Sequence, residues 1–398
     1  MNKSTFFTGQ PVFNQILHLV PRHIINAVAK QNQSDRYYKR FRTYEHFVTM
    51  LYGSFHGCRS LREVITGMMA CSTRINHLGL AHMPRRSTLA EANANRSEKV
   101  FADLYHSLYN HFYPDSRLFT KLEKRLFIFD STTISLFSEV MQGSGQVPRG
   151  KRKGGAKAHI LMKAEEDVPR FVCITEAKEN DNIFPSMLDL PANSIVTFDR
   201  IYYGFKPLSD WTVKGVTWVT RMHSLIAYEV LRDREISEEQ KCAGIISDEK
   251  ILAGTKTRKD KIIARRITYI DPVSNKQLIF FTNNQRMNAT TIAEIYKKRW
   301  QIECLFKRLK QNYPLKYFLG DNENAIKIQI WIALITDLLI KVVKDQVKRK
   351  WSFSNIASMI RLHLMTYINL TKFLHNPERS LLNYDPVNRQ YQRSLFPT

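Results

Sequence analysis

Along residues 43–57, TYEHFVTMLYGSFHG, apolar side chains return at steps of three and four, the spacing of an amphipathic helix. SLREVITGMMA (60–70) repeats that pattern behind Ser60, an N-cap with Glu63 three residues on as its capping-box partner. Pro84 closes the stretch before it, and HMPRRSTLAEANANR (82–96) predicts a short helix capped by Ser87 or Thr88. At 125 the pattern changes. RLFIFDSTTI (125–134), KAHILMKA (157–164) and RFVCITEAK (170–178) are rich in β-branched and aromatic residues and predict strands. A helix near 183–190, a strand SIVTFD (194–199), a helix about FKPLSDW (205–211) and a strand VTWVTRM (216–222) follow. Residues 223–285 are charged and strand-like, most clearly in KIIARRITYID (261–271) and KQLIFFTNN (276–284). One helix is predicted from about Thr290 to just before Pro314, further helices over 324–374, and an irregular tail beyond 375. The expected organisation is a helical domain over 1–120, an α/β domain over 121–322 with a β-rich stretch at about 223–285, and a helical region over 323–398. Three strands, a helix, a strand, then more helix and strand is an order that several α/β folds share.

Charge changes this picture. The 60 Lys and Arg against 36 Asp and Glu leave a formal net charge of +24, which favours a polyanionic partner, with nucleic acid the default. A merely soluble basic protein is the alternative. This short helix and the residues ahead of it would expose Arg85, Arg86, Asn93, Asn95 and Arg96, and Asn and Arg are the side chains that bond bidentately to adenine and guanine edges. Many small helical domains look the same without touching DNA. A glycine-rich basic loop, GSGQVPRGKRKGGAK (143–157), adds Lys151, Arg152 and Lys153 as candidate DNA contacts. Five cysteines scattered without a C-x-x-C spacing exclude a zinc ribbon and a disulfide framework, and point to a reducing compartment. The first fifteen residues lack the apolar core of a signal peptide, and the most apolar run, IWIALITDLLIKVV (330–343), is interrupted by Asp337 and Lys341 and too short to span a bilayer. The expectation is an intracellular protein with no membrane partner.

Carboxylates give the chemistry. Asp130 and Asp199 each follow an apolar run, Phe127 to Phe129 and Ile195 to Phe198, that reads as a strand buried on both faces. An aspartate there either caps the next turn or lines a cleft. YKKRWQIECLFKRLK (296–310) holds six Lys and Arg but a single acid, Glu303. At roughly 100° per residue Tyr296, Arg299, Glu303 and Lys310 fall within about 60° on one helix face. That face is either a solvated run with an i,i+4 pair or a site where cations grip phosphate and the acid holds metal. Cutting a phosphodiester needs an activated oxygen and a stabilised leaving oxygen, and two Mg²⁺ ions about 4 Å apart on carboxylates can supply both.

These residues carry a resemblance. The chain resembles the DDE transposases of bacterial insertion sequences, in the subgroup with a Tyr-x2-Arg-x3-Glu-x6-Lys signature, matched by Tyr296, Arg299, Glu303 and Lys310. DSTT at Asp130, D-R-x-Y-Y from Asp199, GGAKAHILMKA and PRRSTLAEAN are similar to further segments of that family, so the resemblance covers roughly residues 10–375. It implies a ribonuclease H-like catalytic core with a β-rich insertion, flanked by N-terminal and C-terminal helical regions. Asp130, Asp199 and Glu303 are then the catalytic and metal-binding acids, with Mg²⁺ as the ion and Mn²⁺ as its substitute. It implies hydrolysis at the ends of the element and attack of the freed 3′-hydroxyl on target DNA. The partners are double-stranded DNA, as terminal inverted repeats and as target, and a second copy of the chain in the DNA complex; the place of action is the bacterial nucleoid. Some relatives carry a Trp four residues ahead of the Thr that closes the preceding strand, where it traps a flipped base. Here that place, counted from Thr282, holds Leu278, and Trp211, Trp218 or Trp300 is left as a substitute. A nuclease that cuts without joining, or a non-catalytic DNA-binding descendant, are the competing readings.

Overall fold

The computed structural model describes residues 9–114, 125–135, 155–179, 184–202, 204–254, 261–313, 315 and 317–378. In chain order the helices are α1 (Val12–Leu17), α2 (Arg22–Gln31), α3 (Thr43–His56), α4 (Leu61–Ala70), α5 (Ser72–Ile75), α6 (Arg86–Asn95) and α7 (Lys99–Phe112). Strands β1 (Leu126–Ser135), β2 (Gly155–Lys163) and β3 (Pro169–Glu176) follow, then α8 (Phe184–Met187), β4 (Ile195–Phe198), α9 (Phe205–Val213) and β5 (Thr217–Arg221). After β6 (Tyr228–Asp233) and α10 (Glu238–Cys242) come β7 (Ile245–Ala253), β8 (Ile262–Ile270) and β9 (Gln277–Thr282). The chain continues through α11 (Ala289–Lys298), α12 (Trp300–Asn312), α13 (Glu323–Gln346), α14 (Phe353–His363) and α15 (Leu370–His375). None of the described helices is long and apolar enough to cross a membrane. The chain divides into two compact units, Met1–Val100 with Ile335–Thr398, and Phe101–Leu334.

In the helical unit, α3 is buried along nearly its whole length and ends at Gly57, whose φ of 69° closes the helix in the left-handed region that an L side chain resists. Ser60 caps α4 by accepting the Glu63 N–H at 3.2 Å, while the Glu63 carboxylate reaches one residue further back than expected, to the Arg59 N–H. Helix α6 begins at Arg86, ahead of both predicted caps, with Arg85 at the N-cap and no side-chain cap bond. The C-terminal segment completes this unit. The Val12 and Phe13 amides donate to the carbonyls of Thr366 and Leu364, Thr336 bonds to Ser54, and Arg361 donates to the Phe55 carbonyl.

The second unit is built on one nine-stranded sheet in the order β3-β2-β1-β4-β5-β9-β8-β7-β6. Strands β1, β4 and β5 run parallel, and the other pairings are antiparallel. Strands β6 to β9 therefore extend the same sheet, joined to it where β9 pairs with β5. Side chains of a strand alternate between faces, and the two cores follow that alternation. Phe127, Phe129, Val196, Phe198 and Trp218 pack on one face with Phe205, Leu208 and Trp211 of α9. Leu126, Ile195, Val219, Ile267 and Phe280 pack on the other with Ile292, Ile295 and Tyr296 of α11.

Candidate active site

Alternation places the acids. Asp130 shares the parity of Leu126, Asp199 that of Ile195 and Arg221 that of Val219, so all three belong to the face covered by α11. The register Phe129↔Phe198 between the parallel strands β1 and β4 makes Asp130 and Asp199 next neighbours. Asp199 follows the end of β4. Asp130 does not end its strand: β1 runs on to Ser135, paired with β2, and the acid sits mid-strand where β4 stops.

The predicted single helix 290–313 is two helices meeting at Arg299. The Arg299 N–H bonds the Tyr296 carbonyl and the Ile302 N–H the Arg299 carbonyl, i to i−3 contacts that tighten the chain there. From this junction the Arg299 guanidinium reaches two acids, Glu303 Oε1 at 2.6 Å and Asp130 Oδ2 at 3.4 Å. Arg221, at the end of β5, stands 3.2 Å from Asp199 Oδ2. The Tyr296 ring lies between the two guanidiniums, 5.6 Å from that of Arg299 and 5.8 Å from that of Arg221. Its hydroxyl is buried and has no hydrogen-bond partner among the described residues, and the same holds for the Nε of Arg221 and of Arg299. Burial raises the Tyr296 pKa, against the pull of both arginines.

Burial also pushes Asp130 up to about 6, helped by the negative charge of Asp199. The Ser131 N–H on its Oδ1, the Arg299 charge and the Tyr202 hydroxyl 3.2 Å away oppose the rise. A carboxylate that burial makes costly to ionise is stabilised by a further cation, and a set made only of carboxylate oxygens suits a hard divalent ion. The donor chemistry thus fits the metal. In this arrangement, however, arginines hold the acids, and among the described residues no group of three or more His, Cys, Asp or Glu is drawn together closely enough to bind one.

Arg308 donates to the side chain of Asp167 at 2.6 Å and to its carbonyl at 2.8 Å, tying α12, which carries Glu303, to the β2–β3 turn. Lys310 is exposed, two turns beyond Glu303. Trp211 and Trp218 are core residues and cannot take an outside base, whereas Trp300 is 62% exposed. Trp300 shares a cavity of about 490 Å³ with Leu278, Phe280, Tyr296 and Arg299. His159 is a structural histidine, stacked on Phe184 and bonded to Thr175.

In the helical unit the predicted reading face is only partly a face. Arg85, Arg86 and Asn95 are exposed, and Arg86 lines a hollow with Arg62, Ser60 and Ser87. Asn93 and Arg96, expected to be exposed, are 1% and 2% exposed. Asn93 bonds His46 at 2.7 Å, and Arg96 donates to the Phe41 and Ser34 carbonyls while pairing with Asp35. Both are core residues: Asn93 faces His46 of α3, and Arg96, just past the end of α6, is held by the segment between α2 and α3. Lys151, Arg152 and Lys153 lie outside the described residues.

Sequence reading missed Arg221, Tyr202 and Arg308. The parity of Arg221 with Val219 at a strand end is a signal that could have found the first. Tyr202 lies within the D-R-x-Y-Y segment from Asp199, but its bond to Asp130, like that of Arg308 to Asp167, crosses the fold and leaves no local trace.

Residues 121–338 match the family described as Transposase DDE domain, and residues 8–81 match a domain of unknown function, DUF4372. A protein of Sinorhizobium fredii named as a transposase, y4zB, is 31% identical over 266 residues, 65% of this chain and 71% of its own length. A protein of Synechocystis named for insertion sequence element IS4SA is 28% identical, over 65% of this chain and 71% of its own. One of Geobacillus stearothermophilus named for element IS5377 is 25% identical; the match covers 61% of this chain and 63% of that relative. Among solved structures, the piggyBac transposase in its synaptic complex with hairpin DNA has a TM-score of 0.44 and 12% identity, over 97% of this chain and 82% of that one.

Proposed function

Because the chain belongs to the transposase DDE domain family, an enzyme family of insertion sequences that acts on DNA with a divalent metal, we propose that Asp130, Asp199 and Glu303 are its three catalytic acids. The supporting observation is that Asp130 and Asp199 are neighbours on parallel strands, while Arg299 joins Asp130 to Glu303. The core is ribonuclease H-like: β1 to β3 run antiparallel in sequence, then β4 and β5 add parallel to β1. Tyr296, Arg299, Glu303 and Lys310 form the subgroup signature.

The three acids would hold Mg²⁺, or Mn²⁺ in its place, which when bound activates the attacking oxygen and stabilises the leaving one. The rest is done by the chain. Arg221, Arg299 and Tyr296 present donors from one side of the acids, the arrangement that grips the scissile strand's phosphates. Lys310 meets a further phosphate along α12. Trp300, exposed beside Arg299 and facing the cavity that Leu278 leaves open, contacts an unstacked base. Arg308 positions α12 through Asp167. Arg85, Arg86 and Asn95 of the helical unit bind the terminal repeats, and Lys151, Arg152 and Lys153 of the basic loop are separate DNA contacts. The reaction runs on a homodimer at the nucleoid, and a strand-transfer assay with pre-cut ends separates joining from cleavage alone.

Asp130→Asn, Asp199→Asn and Glu303→Gln keep size and remove the charge. Each is expected to abolish cleavage of end DNA while leaving gel-shift affinity for it within about twofold, since the phosphate contacts that supply affinity remain. An Asp199→Asn protein cutting at the wild-type rate would end the assignment.

A further inference from the structure

All three acids are engaged by guanidiniums. Arg299 takes Glu303 at 2.6 Å and Asp130 at 3.4 Å, and Arg221 takes Asp199 at 3.2 Å. We propose that Arg221 and Arg299 latch the acids in an arginine-paired state, and that DNA phosphates, by drawing both guanidiniums away, open the acids to the divalent metal. The latch rests on the catalytic assignment above.

Asp130 and Asp199, neighbours on adjacent strands, repel one another unless a cation compensates them. In the free protein the compensating charge is arginine. An arginine and a metal compete for the same oxygen lone pairs, so whichever holds them excludes the other. The guanidiniums also have donors to spare: the Nε of each is buried without a partner among the described residues, as is the Tyr296 hydroxyl between them. The guanidinium fork matches a phosphate at least as well as a carboxylate, and Arg221, Tyr296 and Arg299 together offer one strand several donors. One set of side chains thus has two sets of acceptors, carboxylates in the free protein and phosphates in the complex. DNA removes the competitor of the metal, and by linkage the metal must then strengthen DNA binding by the same factor.

The test is Mn²⁺ binding, followed by electron paramagnetic resonance on the full chain. It compares the free wild-type protein, wild type on a duplex carrying one terminal repeat of the element, and the free Arg221→Gln/Arg299→Gln double variant. Glu303→Gln protein on the same duplex is the blank for Mn²⁺ held by the DNA itself. Lys307→Gln, which removes one charge from an exposed position of α12, controls for charge alone. The free double variant and the DNA-bound wild type are expected to bind at least about tenfold more tightly than the free wild type, with Lys307→Gln unchanged. Equal affinity in free wild type and double variant overturns the latch. If the double variant fails to fold, the wild-type pair decides, and DNA that leaves Mn²⁺ affinity unchanged overturns it. Mn²⁺ binding that survives Asp199→Asn overturns the catalytic assignment and the latch together. A site that needs the acids but ignores arginines and DNA overturns the latch alone.

Discussion

Asp130 carries the most legible electrostatics in the molecule. Its folded pKa, about 6, lies above the 3.8 of an ordinary aspartate, because burial and Asp199 disfavour its charge. The folded chain therefore binds this proton more tightly than the unfolded one, and its contribution to stability falls as pH rises from about 4 to about 6. A metal needs the ionised form. Divalent-metal affinity of the protein should then fall about tenfold for each pH unit below about 6 and level off above it. Mn²⁺ titrations between about pH 5 and pH 7.5 read this directly, and a profile flat across that range means that Asp130 is not among the ligands. Arg221 shows the opposite side of residue-scale reading: its parity with Val219 at a strand end gives its face, but only the strand next door gives it Asp199.

Helix α6 is where an element-level expectation fails and another replaces it. A polar sequence with Asn93 and Arg96 predicts a reading face, yet both are buried, Asn93 against His46 of α3 and Arg96 against the segment between α2 and α3. Burial, with the Arg96 charge nearby, pushes His46 down to about 3, so it stays neutral and shares a hydrogen bond with Asn93. Asn93→Ala should accordingly cost about 1–3 kcal/mol of stability through the lost buried hydrogen bond, and leave the preference for terminal over scrambled DNA unchanged. Thermal melts and gel shifts on the same preparation separate the two effects; a loss of DNA preference at full stability would restore Asn93 as a base reader. On α12 the corresponding lesson is Arg308. Replacing it with Ala should slow cleavage by about tenfold or more while end binding holds, since misplacing Glu303 by even an ångström is costly. Cleavage at the normal rate would leave the Arg308–Asp167 pair as a tie of stability only.

At the scale of the whole molecule, the chain's two ends belong to one compact unit. The α1 amides bond carbonyls near residue 365, and Thr336 and Arg361 bond within α3. A fragment of residues 1–120 would lose all of these contacts. It should be largely unfolded by far-ultraviolet circular dichroism and hydrogen exchange, whereas the full chain protects α3. A folded, exchange-protected fragment would show that the N-terminal helices carry a sufficient core of their own.

Periodicity alone determined much of this protein. The helical start, the strands from 125, the apolar runs ahead of Asp130 and Asp199 and the single acid in a basic helix are local patterns, and local sterics and burial enforce them wherever the rest of the chain goes. Strand parity even fixes which residues of its own strand each acid shares a face with, Leu126 for Asp130 and Ile195 for Asp199, because side chains two residues apart must point the same way. Only the tertiary structure decided the rest. Which strand pairs with which sets Asp130 beside Asp199 and Arg221 against Asp199, and the side of α6 that meets α3 and the segment before it makes Asn93 and Arg96 core rather than surface. The break at Arg299 aims one guanidinium at two acids. Apart from the i,i+4 pair of Arg299 and Glu303, these are contacts between residues 22 to 169 positions apart, beyond the reach of a local pattern.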